Sequence, residues 1–146
     1  MVDSLTPKER SERMAKIRSS NTLPELALRR ELHRLGLRFT LGNRQLPGKP
    51  DIVLPRHKAV VFVHGCFWHR HQGCRIATTP KSNAAFWQEK FDRNVARDRR
   101  VVAELVRTGW RVFVAWECGL QAGSRARETA ATIASGIVGM GGVLKW

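Results

Sequence analysis

The sequence has few acidic residues, few cysteines and no long apolar run, and each shortage excludes a class of protein. Only 12 of the 146 residues are Asp or Glu, against 26 Lys and Arg, which leaves a net charge of +14. No apolar run approaches the roughly 18 residues that a membrane helix needs. The polar N-terminus also lacks the apolar core of a secretion signal. We therefore expect a cytoplasmic protein that does not enter membranes.

The excess of positive charge indicates a polyanionic partner. A charge of +14 on a chain that we expect to form one domain, residues 1–146, favours nucleic acid. Charge alone does not distinguish a nuclease from a ribosomal protein or a protein that binds anionic membranes. That distinction depends on the residues that carry chemistry.

Capping signals, turn residues and short apolar runs predict alternating helices and strands. The order predicts an α/β fold with a mixed sheet flanked by helices, and the Gly-rich tail within residues 121–146 could end in one more strand. We predict helices over residues 6–18, 23–35, 84–108 and 125–134, and strands over residues 37–41, 51–54, 59–63 and 110–116.

The segment between the third strand and the long helix begins HGCFWHRHQGC and is too long for an idle connection. A closed zinc site needs four soft or borderline ligands. Cys66, His71 and Cys74, with Cys118 after a predicted strand, would supply a Cys3His shell and account for the odd number of cysteines. The alternative is three buried free thiols beside unrelated histidines. We favour zinc because the cysteines occur only in this loop and at one strand end.

Two further histidines, His64 and His69, lie beside an expected edge of the sheet. Asp51 opens the second predicted strand and His64 ends the third, so a hairpin of this length would bring them to the same edge. A carboxylate there can hold Mg2+ with help from backbone carbonyls, and histidines can move protons. Asp51 could instead be a turn residue after Pro50, and His64 a hydrogen-bonded strand terminus.

Aromatic residues cluster near the same segment. Phe67 and Trp68 stand between expected zinc ligands, and Trp87 lies at the start of the long helix. Exposed aromatic rings on a metal-braced loop of a basic protein favour stacking on bases or wedging between them. Core packing is the commoner fate of Trp, and we expect it for Trp110 and Trp116.

Four stretches of the chain together resemble one family. They read LPGKPDIV, VVFVHGCFWHRHQGC, FWQEKFDRNVARDRR and GWRVFVAWEC, and they are similar to the very-short-patch repair endonucleases of bacteria. The likeness runs from the N-terminal helix to about Leu120. It implies a restriction-endonuclease-like fold, a central mixed sheet flanked by helices, with a zinc-braced loop.

The resemblance also implies an activity. Such an enzyme is a magnesium-dependent hydrolase that nicks one DNA strand next to the T of a T:G mismatch, which arises from deamination of 5-methylcytosine. Double-stranded DNA containing this mismatch would be the substrate. Other mismatch-repair proteins would be further partners of a monomer associated with the nucleoid.

The same resemblance assigns catalytic roles. It implies that Asp51, through its carboxylate, and Val63, through its carbonyl, bind Mg2+. His64 and His69 would act beside the scissile phosphate in proton transfer and charge stabilisation, and Asp98 on the long helix would orient His69.

Glu25 resembles a family acid near the metal, although its place in the pattern Thr-Leu-Pro-Glu equally suits a helix cap. The first helix, within residues 1–20, would approach the minor groove of DNA. By resemblance the zinc ligands are Cys66, His71, Cys74 and Cys118, and the DNA contacts are Met14, Ile17, Phe67, Trp68 and Trp87.

Two other functions stay open. The chain could be a restriction-like nuclease that acts on unmismatched or modified DNA. It could also be a non-catalytic, zinc-containing nucleic-acid-binding protein in which Asp51 and His64 are structural.

Overall fold

A computed structural model describes residues 22–41, 45–139 and 144–145 of the chain. Over these residues helices and strands alternate as in an α/β protein. Short 3-10 turns at Pro55–His57 and Glu117–Leu120 follow the first and third strands. The elements are α1 (Leu23–Arg34), β1 (Ile52–Leu54), β2 (Ala59–His64), α2 (Ala84–Arg107), β3 (Arg111–Trp116), α3 (Gly123–Val138) and β4 (Leu144–Lys145).

The strands form one mixed sheet in the order β1-β2-β3-β4. β1 runs antiparallel to β2, whereas β2, β3 and β4 run parallel to one another. Val61 in β2 lies opposite Ile52 on one side and Phe113 on the other. Parallel strands need a long crossover between them, and α2 lies within the connection from β2 to β3. The mixed sheet expected from the sequence is confirmed.

Helices cover both faces of the sheet, because successive side chains of a strand point to opposite sides. Val61 faces the layer formed by α1 and α3, and Val60 and Phe62 face α2. The buried helix residues in contact with the sheet include Leu28, Leu32, Ile133 and Ile137 on the first face and Leu105 on the second.

The ends of the helices follow local chemistry. The Thr22 side chain accepts the Glu25 N–H at 3.4 Å, and α1 ends before Gly36, whose φ of +89° suits a residue without Cβ. α2 likewise ends before Gly109. Asn83 precedes α2 as predicted, but its side chain makes no capping bond.

The predicted strand over residues 37–41 is wrong. Of this run, Thr40 alone pairs with the sheet, through backbone bonds of 2.8 and 2.9 Å to Val53. The start of the run belongs to the end of α1, because the Leu37 N–H donates to the Leu32 carbonyl at 3.1 Å. The Arg38 guanidinium also donates to a carbonyl in the last turn of α1. These bonds hold the run against the helix.

Other boundaries shift only slightly. α3 extends beyond the predicted residues 125–134 at both ends, and β4 is the expected final strand. The predicted helix over residues 6–18, with Met14 and Ile17, lies outside the described residues. In the described part of the chain, every helix is too short or too polar to cross a membrane.

Candidate active site and metal cluster

Asp51 immediately precedes β1, at the end of the sheet where β2 extends beyond its pairing with β1. β1 pairs with β2 only as far as Ile52 and Val61, so among the described residues the Val63 N–H beyond has no strand partner on that edge. It donates instead to Asp51 Oδ2 at 2.7 Å. The N–H and C=O of a strand residue project to the same side, so the Val63 carbonyl also faces this edge.

Charged groups from α1 and the loop surround Asp51. Burial raises the pKa of Asp51 to about 7, the Val63 N–H opposes that rise, and Glu25 adds to it. Arg29 and His69 lower the Asp51 pKa. Glu25 is itself buried, and its Oε2 accepts from Arg29 Nη2 at 2.9 Å. The structure therefore brings Asp51, Glu25 and His69 together, as the sequence suggested.

This edge has the donors that a hard divalent cation prefers. Asp51 and Glu25 offer carboxylate oxygens, and Val63 offers a carbonyl. The nearby Glu25 charge makes ionisation of Asp51 harder. A bound cation would remove that penalty, so the donor set fits Mg2+.

His64 and His69 form a second group on the α2 side of the sheet. Their rings are stacked, with centroids 3.9 Å apart and planes 7° from parallel. Asp98 Oδ2 lies 2.6 Å from His69 Nδ1. Because an ionised carboxylate only accepts, Nδ1 carries the proton and Nε2 is left for other chemistry. Asp98 therefore contacts His69, the residue whose ring the resemblance expects it to orient.

The donor atoms of His64, His69 and Asp98 lie within 4.8 Å of one another, close enough to suggest a metal site. The ring geometry argues against it. A metal binds an imidazole nitrogen in the plane of its ring, about 2.0 Å away. Two stacked parallel rings cannot both direct lone pairs at one ion. The arrangement suits proton transfer instead.

The Cys and His residues form a separate cluster. The donor atoms of Cys66, His71, Cys74 and Cys118 all lie within 4.8 Å of one another, and Cys118 Sγ is 3.5 Å from His71 Nδ1. The loop histidine in this cluster is His71, as the spacing predicted. Three sulfurs and one nitrogen are the donors of closed zinc sites.

Burial changes the pKa values of two side chains in this cluster. Burial raises the pKa of the Cys66 thiol to about 12, so a nearby cation is needed to hold it as a thiolate. Burial lowers the pKa of His71, which keeps the imidazole neutral as a ligand must be. The His71 ring stacks on Trp116 at 4.2 Å, and Glu117 accepts the Cys66 N–H at 3.2 Å.

The aromatic residues predicted to contact DNA lie in one cluster. Phe67 makes edge-to-face contacts with Trp68 at 5.1 Å, Trp87 at 5.7 Å and Phe91 at 5.2 Å. Phe67 and Trp68 are half-buried, whereas Trp87 is only 6% exposed. The three rings are brought together, and contact of Trp87 with DNA would need the cluster to open.

Several residues at these sites were not predicted. Arg29 beside Glu25 could have been found from its i,i+4 spacing on a helix. Asn94, whose amide donates to the Trp68 carbonyl at 3.2 Å, and Glu117 act across 26 and 51 positions. No local pattern announces contacts of that separation.

The raised pKa of Asp51 predicts a pH-dependent stability in magnesium-free buffer. The folded pKa of about 7 lies above the ordinary 3.8, so the unfolded chain loses this proton first as pH rises. Relative to Asp51→Asn, the wild-type free energy of unfolding should fall between about pH 4 and pH 7 and then level off. One group can give a slope of at most about 1.4 kcal/mol per pH unit.

Urea denaturation of both proteins at several pH values measures this difference. Asn does not titrate, but it keeps an oxygen that can accept the Val63 N–H. Because the two proteins then share the same structure and the same other ionisable groups, the contributions of those groups cancel in the difference. A difference that stays constant across this range would contradict the placement of Asp51.

Comparison with known proteins places the chain in a family. A family model of the DNA mismatch endonuclease Vsr matches residues 2–75. The type II nicking enzyme V.XorIIP of Xanthomonas oryzae is 52% identical over 120 residues, which are 82% of this chain and 88% of the relative. The type II nicking enzyme V.NmeAIP of Neisseria meningitidis is 44% identical over 128 residues, 88% and 91% of the two chains. The DNA mismatch endonuclease Vsr of Escherichia coli is 39% identical over 132 residues, 90% and 84% of the two. The resemblance seen in the motifs is confirmed, and this chain belongs to the DNA mismatch endonuclease Vsr family.

Proposed function

We propose that this endonuclease depends on magnesium and nicks one strand of double-stranded DNA next to the T of a T:G mismatch, the product of 5-methylcytosine deamination. The observation that carries the proposal is the Asp51 carboxylate, held on the Val63 N–H and close to His69, which Asp98 orients. A carboxylate and a carbonyl that can bind a divalent cation, next to an oriented histidine that can transfer a proton, are the groups that metal-assisted hydrolysis of a phosphodiester needs. A restriction-endonuclease-like fold is part of the proposal, because Asp51 immediately precedes a strand of a mixed sheet that helices cover on both faces.

Asp51, Glu25 and the Val63 carbonyl are the groups that would hold Mg2+. Bound there, the ion would supply positive charge to the phosphate as negative charge develops on it. Arg29 keeps Glu25 oriented toward this edge through their ion pair. The Glu25 backbone N–H donates to the capping side chain of Thr22, whereas its carboxylate is left for Arg29 and the site.

His69 is the proposed proton-transfer residue. Its Nδ1–H is committed to Asp98, so Nε2 is the atom that can take a proton from water or return one to the leaving oxygen. His64 covers one face of the His69 ring at 3.9 Å and excludes water from it. The pair can also spread the charge of a protonated imidazole next to the phosphate.

The aromatic cluster is the proposed mismatch sensor. A T:G wobble pair stacks and pairs less well than a Watson–Crick pair, so separating bases there costs less. Phe67, Trp68 and Trp87 would enter from the major groove, and Met14 and Ile17 from the minor groove. Lys and Arg contacts to phosphates would add affinity without sequence information.

Cys66, His71, Cys74 and Cys118 are proposed to bind a structural Zn2+. Three sulfurs and an imidazole fill a tetrahedral shell and leave no open position for a substrate. The ion would join the loop to the end of β3, where Cys118 lies in the turn that follows the strand. It would therefore fix the base of the loop that carries the aromatic pair.

A nicking assay tests the function. Duplexes with T:G in varied flanking sequences, and the same duplexes with T:A, are incubated with the protein and Mg2+. We expect cuts only in the T-containing strand of the T:G set, and none with Asp51→Ala, which loses a metal ligand. Equal cutting of both sets would indicate a nuclease for unmismatched DNA, and binding without cutting would indicate a non-catalytic protein.

The role of Asp98 has its own test. Asp98→Asn replaces a carboxylate, which only accepts, with an uncharged amide that can also donate to His69 Nδ1 and therefore no longer fixes Nδ1 as the donor. We expect single-turnover nicking to slow by about 100-fold with little change in DNA affinity. Asp92→Asn is the matched control, because Asp92 is an exposed acid on the same helix, bonded to Gln88. Wild-type nicking by Asp98→Asn would refute this role.

The zinc proposal is tested by metal analysis and thermal unfolding. We expect zinc bound to the purified protein, and we expect both its removal and His71→Ala to lower Tm, because a closed metal site contributes folding free energy. His33→Ala, at an exposed histidine of α1, should keep both zinc and Tm. Protein that contains no zinc and melts normally would rule the site out.

A further inference from the structure

Arg70 lies between the two functional histidines of the loop. His69, before it, pairs with Asp98, and His71, after it, belongs to the Cys/His cluster. Arg70 has a φ of +55°, a left-handed conformation that costs a residue with Cβ about 1 kcal/mol or more. Such a conformation persists only where neighbouring contacts compensate for it.

The Arg70 side chain supplies those contacts. Its Nη1 donates to the Phe67 carbonyl at 3.2 Å and to the Thr78 carbonyl at 3.0 Å. Its Nη2 donates to the Ala77 carbonyl at 3.1 Å and to Thr79 Oγ1 at 3.0 Å. A guanidinium has five N–H donors, four of them on these two nitrogens. Four oxygens of the protein's own loop therefore occupy both terminal nitrogens, so Arg70 is not placed to bind DNA phosphate.

The guanidinium also closes the aromatic cluster. Its carbon lies 4.0 Å from the centroid of the Phe91 ring and 5.8 Å from that of Phe67. A cation over an aromatic face is attracted to it, and Phe91 is a buried residue of α2. Arg70 therefore joins three parts of the molecule: the aromatic turn at Phe67, the returning segment 77–79, and α2.

The Cys/His cluster cannot make this connection. Its loop ligands are Cys66, His71 and Cys74, so it fixes the base of the turn. It reaches the segment 77–79 through the Ala77 N–H, which donates to the Cys74 carbonyl at 3.2 Å, but it has no ligand on α2. Asn94 holds the turn from the other side through the Trp68 carbonyl. Arg70 is the contact that ties the aromatic turn to the returning chain.

We propose that Arg70 is a specificity-determining positioning residue: it holds Phe67 and Trp68 ready to enter DNA, and so sets how strongly the enzyme prefers a T:G mismatch over paired DNA. The inference rests on the proposed function of the aromatic cluster. Holding Phe67 and Trp68 in place before binding lowers the entropic cost only of the complex in which their rings are inserted into DNA. Binding to paired DNA through phosphates does not need it.

The test compares Arg70→Lys and Arg70→Met with Arg75→Met. Lys keeps the charge but cannot reach four oxygens at once, and Met keeps only an apolar stem. Arg75→Met removes the same charge from an exposed position of the same segment. Affinities for the T:G and T:A duplex sets are measured by fluorescence anisotropy without Mg2+. A 2-aminopurine beside the mismatch reports unstacking of the base, which a purely structural role would not change.

We expect both Arg70 variants to lose about tenfold of the T:G preference, as for loss of a hydrogen bond to a charged group, and to lose the 2-aminopurine signal. Their T:A affinity should stay within about twofold of wild type, because phosphate contacts are intact. Arg75→Met should change both affinities by the same factor and keep the preference.

Three results would overturn the proposal. One is that Arg70→Lys keeps the wild-type preference for T:G over T:A duplexes, which would show that the positive charge alone produces this preference. The Arg70 variants could lose T:G and T:A affinity equally, or fail to fold, which would show a general structural role. If wild-type protein has no T:G preference, the proposed function fails as well, and that result is distinct from a change confined to the variants.

Discussion

The site depends on the unequal lengths of β1 and β2. β1 has three residues and β2 six, so within the part of the chain that the structure describes the last residues of β2 have no neighbouring strand on one edge. A backbone N–H left without a partner in the interior is costly, and the Asp51 carboxylate satisfies the one on Val63. The same bond draws the carboxylate out of water. Asp51 therefore has a raised pKa and lies near Glu25. A cation bound between the two carboxylates would be favourable there.

Because side chains alternate along β2, the consecutive residues Val63 and His64 belong to two different groups, the Asp51 edge and the stacked histidines. Val63 faces the layer of α1 and α3 with its side chain and presents its backbone to Asp51, whereas His64 faces α2. The parallel register places Trp116 opposite His64. Its ring lies 5.3 Å from that of His64 and 4.2 Å from that of His71. One tryptophan, expected only as core, therefore contacts both the stacked histidine pair and the Cys/His cluster.

Predictions from the sequence succeeded where short-range periodicity or local spacing carries the information. A continuous apolar run located β2 and apolar alternation located β3, and the spacing of Cys66, His71 and Cys74 indicated a cluster that the structure closes with Cys118. Prediction failed for residues 37–41, because bonds to the end of α1 compete with the sheet for that run. It also missed the contacts of Arg70, since the sequence does not show where an irregular segment returns.

The irregular segment explains why the loop needs more than one brace. Residues 65–83 form neither helix nor strand, so few backbone hydrogen bonds of their own oppose the entropy of 19 residues. A metal fixes only the positions that ligate it. The difference between opening a mismatch and opening a paired step is only a few kcal/mol, and disorder in the aromatic turn would subtract from the inserted complex alone. Discrimination by deformability therefore requires an aromatic turn that is already ordered before DNA arrives, and Asn94 and Arg70 supply that order from opposite sides.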